Sequence, residues 1–302
     1  LKDGAEASWL ESFDGGRLRV MRFGLEGPRG TALIVPGWAE PSEKYAEVAL
    51  DLADRGFTPI AYDPRGQGMS ARCDQNDERG RLTNFSQLVK DLGAVTETLA
   101  DGPLVILGHS MGGLTTLSWL AGGGKADAAV LSAPATRIFA NGLNRFGVRA
   151  LTRGLCLLGF RDLPLSKEGG MALAFEGNTL TSDEKRHAYL RDLLLTEEGL
   201  TLPRTNPSMV SAMHAEQKRL TSKGALDDMT VPTRIVSLPQ DEWVDAGHHH
   251  EIAGASALID LVEVPGSKHE ILMEADDYRD AFWDAFDEHV DRYIPRSGNA
   301  RT

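Results

Sequence analysis

Short apolar runs alternate with longer segments of helical period through the first 136 residues. Trp9 to Phe13 and Leu18 to Phe23 flank Asp14-Gly15-Gly16 and predict an opening β-hairpin. Thr31 to Val35 reads as a buried strand, Tyr45 to Arg55 as a helix stopped by Gly56, and Thr58 to Tyr62 as the next strand. Phe85 to Leu99 is amphipathic at helical spacing, Leu104 to Leu107 is again a strand, Leu114 to Leu120 a buried helix and Ala128 to Leu131 a strand. Alternating β and α units of this length predict a parallel sheet covered by helices on both faces.

The rhythm breaks after Pro134. From about Thr136 to Asp228 the pattern is helical and irregular with no strong strand. Arg234 to Leu238 and Leu261 to Val264 then restore the strands, and Tyr278 to Tyr293 closes the chain with Phe282, Phe286, Val290 and Tyr293 on one side of a helix. The expected organisation is an α/β core built from residues 1–135 and 229–302, with residues 136–228 inserted as a helical cap. Open α/β sheets bind ligands at the strand ends, so an insertion at this point is placed to act as a lid. Arg296 to Thr302 is expected to be a loose tail.

Charge sharpens this division. The chain carries −12 overall, which argues against nucleic acid as a partner, yet Arg137 to Leu226 holds 13 Lys and Arg against 9 Asp and Glu, a net of +4. Within that basic piece Arg145, Arg149 and Arg153 are spaced four apart and form one stripe on a helix, with Val148, Leu151, Leu155 and Leu158 on another side. Such a helix suits peripheral contact with a lipid surface or an anionic headgroup. An apolar fraction of 41% and a charged fraction of 25% are those of a soluble globular protein, and no apolar run approaches the roughly 20 residues that span a bilayer. The first residue is Leu1 rather than methionine, which leaves room for a preceding segment. Cys73 and Cys156 make no disulfide framework and have no metal-site spacing, so a reducing, cytoplasmic location is expected.

The segment with most chemistry is Gly108-His109-Ser110-Met111-Gly112-Gly113, set directly behind Leu104-Val105-Ile106-Leu107 and ahead of a helix. A serine with glycine two residues before and two after, leaving a strand and entering a helix, is the pattern of a nucleophile elbow. Only Gly leaves room around so tight a turn. The turn holds the serine oxygen above the sheet edge and aims the Met111 N–H at the same spot.

Three further blocks join this one: Val35-Pro36-Gly37-Trp38-Ala39-Glu40 with Tyr45 shortly after, Asp63-Pro64-Arg65-Gly66-Gln67-Gly68-Met69-Ser70 behind a strand, and Pro265-Gly266-Ser267-Lys268-His269-Glu270. With them the chain resembles the α/β-hydrolase superfamily, and within it the monoacylglycerol lipase and lysophospholipase branch, also called the serine aminopeptidase-like group. The resemblance implies the α/β-hydrolase fold, a mostly parallel central sheet flanked by helices with an inserted helical cap. It also implies a chain order of Ser, then acid, then His for the catalytic residues, and a second oxyanion donor in the Trp38 N–H. The family usually has His-Gly where this chain has Pro36-Gly37; Pro36 can steady the loop by fixing its own backbone.

A serine hydroxyl needs a base, and the base a carboxylate that holds its tautomer. Of eight histidines, His109 adjoins the serine but faces away, His187 and His214 lie in the insertion, and His289 belongs to the closing helix. His248-His249-His250 cannot all face one ion on a regular element and is expected to be a polar helix start, so no metal site is expected. His269, in the loop after the last strand, is where the superfamily base belongs. The loop after Ala128 to Leu131 offers no carboxylate, whereas the one after Arg234 to Leu238 offers Asp241, Glu242 and Asp245. Asp241 comes first and matches the family arrangement; Asp245 is read as a loop-stabilising group and Asp63 as a turn residue. The expected function is hydrolysis of a small-molecule or lipid ester, a lysophospholipid or a monoacylglycerol, by Ser110, His269 and Asp241 through an acyl-enzyme, with no cofactor. The alternatives are a small-ester hydrolase or peptidase on the same fold, or a non-catalytic ligand-binding protein.

Overall fold

In the computed structural model the described residues are 4–71, 80–99, 102–138, 145–165, 174–196, 200 and 203–296. Cys73 and residues 297–302 of the expected tail lie outside them. Eight strands form one sheet: β1 (Glu6–Glu11), β2 (Arg17–Arg22), β3 (Thr31–Val35), β4 (Thr58–Tyr62), β5 (Leu104–His109), β6 (Ala128–Ser132), β7 (Thr233–Ser237) and β8 (Ile259–Glu263). Their spatial order is β1-β2-β4-β3-β5-β6-β7-β8. The first two strands pair antiparallel as a hairpin, with the first at Glu6–Glu11 rather than the expected Trp9 to Phe13; β2 meets β4 antiparallel, and all later pairings are parallel.

The period-2 alternation of β3, β4, β5 and β6 divides the core into two faces. Leu33, Val35, Ile60, Ile106 and Leu131 point to the side covered by α2 (Ser86–Leu99) and α3 (Met111–Ala121). Ala32, Ile34, Ala61, Val105 and Val130 point to the side covered by α1 (Ala46–Asp54) and α8 (Asp276–Tyr293). In α8 the residues facing the core are Phe282, Phe286 and Val290, while Tyr293 is 46% exposed and leaves the expected apolar side incomplete. The helix expected from Tyr45 begins instead as a 3-10 turn over Ser42–Tyr45 before α1.

Between β6 and β7 the chain forms α4 (Arg145–Leu157), α5 (Glu184–Thr196) and α6 (Pro207–Leu220), with no strand among the described residues. These helices differ in how they are held. In α6 the Asn206 side chain caps the Met209 N–H at 3.0 Å and Pro207 opens the helix, a strong start signal. Met209, Val210, Ala212 and Met213 of α6 join the core face beside α3. In contrast Leu151, Leu157 and Leu158 of α4 and its exit turn are exposed. The arginine stripe is not one surface: Arg149 is half-buried in a cleft, Arg153 is exposed, and the Arg145 side chain lies outside the described set.

Candidate active site

Ser110 joins β5 to α3 with φ 49° and ψ −113°, a backbone conformation disfavoured for any residue with a Cβ. The neighbouring glycines make the turn possible by close approach. A Cβ at Gly112 would stand 1.9 Å from the Val35 carbonyl oxygen, one at Gly113 would stand 2.8 Å from the Pro134 Cβ, and one at Gly108 would stand 2.9 Å from Thr116 Oγ1. The Ser110 N–H donates to the Ser132 carbonyl at 2.9 Å, and its own carbonyl accepts from Ala135 N–H at 2.8 Å, so the turn is pinned to the end of β6.

His269, in the loop after β8, lies with Nε2 3.0 Å from Ser110 Oγ and Nδ1 2.6 Å from Asp241 Oδ2. Asp241 is delivered by the loop after β7, and its other oxygen accepts the Trp243 and Val244 N–H groups at 2.7 and 3.1 Å. Burial on its own would raise the Asp241 carboxyl, but the His269 imidazole and these two N–H groups outweigh it and hold the group below its ordinary value. Burial would likewise lower His269, and the facing Asp241 carboxylate raises it above the ordinary 6.5. With Asp241 ionised, the His269 Nδ1 carries the proton and donates it to that carboxylate, leaving Nε2 free to accept from the Ser110 hydroxyl. The Trp38 and Met111 N–H groups make no hydrogen bond among the described residues, so both donors of the expected pair are unspent.

The profile of the family described as serine aminopeptidase, S33, matches residues 26–276. The chain belongs to this family. It is 30% identical over 306 residues to lysophospholipase L2 of Escherichia coli strain K12, covering 94% of this chain and 87% of that protein. It is 34% identical to a monoacylglycerol lipase of Mycolicibacterium smegmatis over 113 residues, which is 36% of this chain and 39% of that one. Among solved structures, a soluble variant of monoglyceride lipase from Saccharomyces cerevisiae superposes with a TM-score of 0.77 at 19% identity over 97% of both chains. The fold is thus the α/β-hydrolase fold, in the monoacylglycerol lipase and lysophospholipase branch.

Beneath the serine of this hydrolase lies a buried charge cluster that the motifs contained without revealing. The Glu40 carboxylate accepts the Gly37 N–H at 2.7 Å and the Tyr45 hydroxyl, and Lys44 Nζ stands 2.8 Å from its other oxygen. The same ammonium donates to Glu270, the residue after His269. Burial would raise Glu40, but Lys44 and His109 hold it down at about 2. Glu270 goes the other way, to about 7, because burial and the Glu40 charge outweigh Lys44. Ligand-type atoms of Glu40, His109 and Glu270 lie within 4.8 Å of one another, yet Lys44 already supplies positive charge to both carboxylates, so the group reads as a salt-bridged cluster rather than a metal cage. Glu40, through the Gly37 N–H, and Gln67, through the Ala39 N–H, thus grip the loop carrying Trp38. The signal was present: Glu40 and Lys44 are four apart, and Glu270 follows the base.

The insertion grips the same loops. Lys268 Nζ donates to the Asn178 and Thr181 carbonyls at 3.0 and 3.2 Å, Glu270 N–H donates to Leu180 O at 2.8 Å, and Trp243 Nε1 donates to Thr179 Oγ1 at 2.8 Å.

The remaining candidates are structural. Asp245 caps α7 (Ala246–Ala253) through the Gly247 N–H, and Asp63 accepts from Ser42 and Met69 N–H within its turn. His109 is buried with Nδ1 3.2 Å from Ser132 Oγ, but its ring centroid stands only 5.0 Å from that of His269, closer to the site than its outward turn implied. The polar helix start expected at His248 to His250 needs correcting: His248 and His249 are buried in α7, and His250 alone is exposed. His249 meets Ser237 Oγ at 2.8 Å and the Pro134 carbonyl at 2.9 Å, bracing the acid and serine loops against each other. His187, in the insertion, is buried against Phe175, and His289 is buried in α8.

Proposed function

We propose that this chain is a serine hydrolase that cleaves the carboxylic ester of a monoacyl lipid, a lysophospholipid or a monoacylglycerol. The observation that carries the reading is the relay from Asp241 through His269 to Ser110 at 2.6 and 3.0 Å. The 30% identity to a lysophospholipase over most of both chains supports the lipid substrate.

In this reading Ser110 Oγ bonds to the ester carbonyl carbon while His269 Nε2 takes its proton. The carbonyl oxygen becomes an oxyanion held by the Trp38 and Met111 N–H groups. His269 then protonates the leaving glycerol oxygen, which departs and leaves an acyl-enzyme on Ser110. A water, deprotonated by the same nitrogen, attacks the acyl carbon and releases the fatty acid and the free serine. The relay needs no metal or organic cofactor. Residues 136–228 act as a cap whose 178–181 segment is tied to the acid and base loops. Leu157 and Leu158 are 81% and 74% exposed at the end of α4, which supports peripheral contact of the cap with a lipid surface. No helix among the described residues is long and apolar enough to cross a membrane.

The test combines labelling by a fluorophosphonate probe with a substrate panel of lysophosphatidylcholine, monoacylglycerols, short p-nitrophenyl esters and aminoacyl amides. Probe labelling at Ser110 with turnover greatest on the monoacyl lipids is the expected result. Labelling with turnover only on short esters or amides would overturn the lipid assignment, and absence of labelling would overturn the serine mechanism.

A further inference from the structure

A cavity of about 310 Å³ lies where the insertion meets the core. Thr136 and Arg137 come from the loop after β6, His248 from α7, Arg149 from α4, and Lys218 and Thr221 from the end of α6. Every side chain that lines it carries a donor group and none is an Asp or Glu, although the Thr221 hydroxyl and the Gln217 amide already donate to the Lys218 and Ala135 carbonyls. In a chain of net charge −12 that lining is the opposite of the surface average.

The cations differ in availability. Arg137 is matched outside the cavity by Glu251 at 2.9 Å and Asp245 at 3.3 Å. Arg149 and Lys218 have no carboxylate within 4 Å among the described residues. The neighbouring stretch 137–150 contains no Asp or Glu that could supply one. Two cations facing one small space repel each other unless an anion lies between them.

His248 gives the independent sign of a ligand. It is 1% exposed, its Nδ1 stands 3.0 Å from Thr136 Oγ1, and its Nε2 is buried with no hydrogen-bond partner among the described residues. The nearest carboxylate oxygen, on Glu251, is 3.8 Å away, beyond hydrogen-bond reach. Burial, reinforced by the Arg137 charge, pushes the imidazole down to about 4, so the ring is neutral near neutral pH. In the tautomer in which the Thr136 hydroxyl donates to Nδ1, Nε2 carries a proton that meets no acceptor among the described residues. An unmade buried hydrogen bond is costly, and an oxyanion in the cavity would satisfy it.

We propose that this cavity binds a phosphate-class oxyanion, as a monoester or diester carrying a small alcohol. Arg149 and Lys218 supply the charge and His248 Nε2 the orienting donor. The volume lies at the lower end of small-ligand sites, roughly 300 Å³ upward, which suits a phosphate with a glycerol-sized substituent. Because the donors come from α4 and α6 on one side and from α7 on the other, a bound phosphate bridges insertion and core. The site does not rest on the ester-hydrolase reading.

The probe is inorganic phosphate, titrated calorimetrically and followed by thermal melting at constant ionic strength against sodium chloride. The whole chain should bind one phosphate saturably and melt at higher temperature with it. The Arg149→Gln/Lys218→Gln double variant should bind at least about tenfold more weakly, as expected for losing charge-assisted donors. His248→Ala should weaken binding as well; the double variant, which alters only a half-buried and an exposed side chain, decides if that protein folds poorly. No saturable heat, a melting shift equal to that in chloride, or full affinity in the double variant would overturn the proposal. Displacement of phosphate by phosphatidylglycerol vesicles but not by phosphatidylcholine vesicles would support the site with a bilayer headgroup as the source. Displacement by sn-glycerol 3-phosphate alone would support it with a soluble phosphoester instead.

Discussion

Lys44 links Glu40 to Glu270, and through them the loop that carries the Trp38 N–H to the loop that carries His269. One buried ammonium therefore couples the placement of the proposed oxyanion donor to the placement of the proposed base. Lys44→Met leaves two carboxylates buried without their cation, and breaking a buried pair in this way costs about 3–5 kcal/mol. Chemical denaturation should show a loss of that order, with kcat reduced in whatever fraction remains folded. Lys44→Met/Glu270→Gln should recover part of the stability. A stability within about 1 kcal/mol of wild type in the single variant, the scale of an exposed pair, would show that the cluster is not the brace described.

Ser110→Ala should lower kcat by about four orders of magnitude or more and abolish fluorophosphonate labelling, because the three residues act as a unit and only oxyanion and binding contributions remain. The melting temperature should hold or rise: alanine removes no packing, although it keeps the strained φ of 49°. Ester hydrolysis within about tenfold of wild type would remove Ser110 from the mechanism.

The two carboxylates after β7 should separate cleanly. Asp241→Asn presents an amide to His269 Nδ1 and can hold the ring in the wrong tautomer, so turnover should fall by about four orders of magnitude. Asp245→Asn keeps an acceptor for the Gly247 N–H but loses the ion pair with Arg137 at 3.3 Å, so it should mainly lower stability, by about 1 kcal/mol or less. Parallel kinetics and melts on the two variants decide; a dead Asp245→Asn beside an active Asp241→Asn would reverse the assignment.

The inner strands β3 to β6 were legible because each is a largely apolar run bounded by glycine, proline or polar turns, and the elbow because a tight turn leaves so few residues that fit. Asp241 and His269 were reached through the family resemblance, which puts acid and base in the loops after the last strands. What local pattern could not give was any relationship made across the fold. Lys44 and Glu270 are 226 positions apart, and nothing local marks Lys44 as a buried cation rather than a solvated one. His248 and His249 looked polar because their partners, Thr136, Ser237 and the Pro134 carbonyl, come from other loops. The apolar content of α6 was muted by its polar exposed side, so its membership of the core face appeared only with packing.

The pH responses of activity and stability should run in opposite directions. His269 must be neutral to accept the Ser110 proton, and burial, which would lower it, is outweighed by Asp241, with Glu270 and Glu40 adding to the same sign. The acid limb of kcat/KM should therefore have its midpoint above 6.5. Glu270→Gln removes one of those negative charges and should move the midpoint down. For stability, both His269 and Glu270 bind their protons more tightly in the folded chain than in the unfolded one. Their contribution is fully present below the unfolded values, 4.5 for Glu270 and 6.5 for His269, and is lost as pH rises through the folded ones, about 7 for Glu270. The melting temperature should thus fall over the interval in which activity climbs, and fall less steeply in Glu270→Gln, where one of the two protons no longer titrates. Melts and initial rates on wild type and variant across this interval check both slopes. A midpoint below 6.5 in wild type, or one that moves upward in the variant, would contradict the electrostatics assigned to the base.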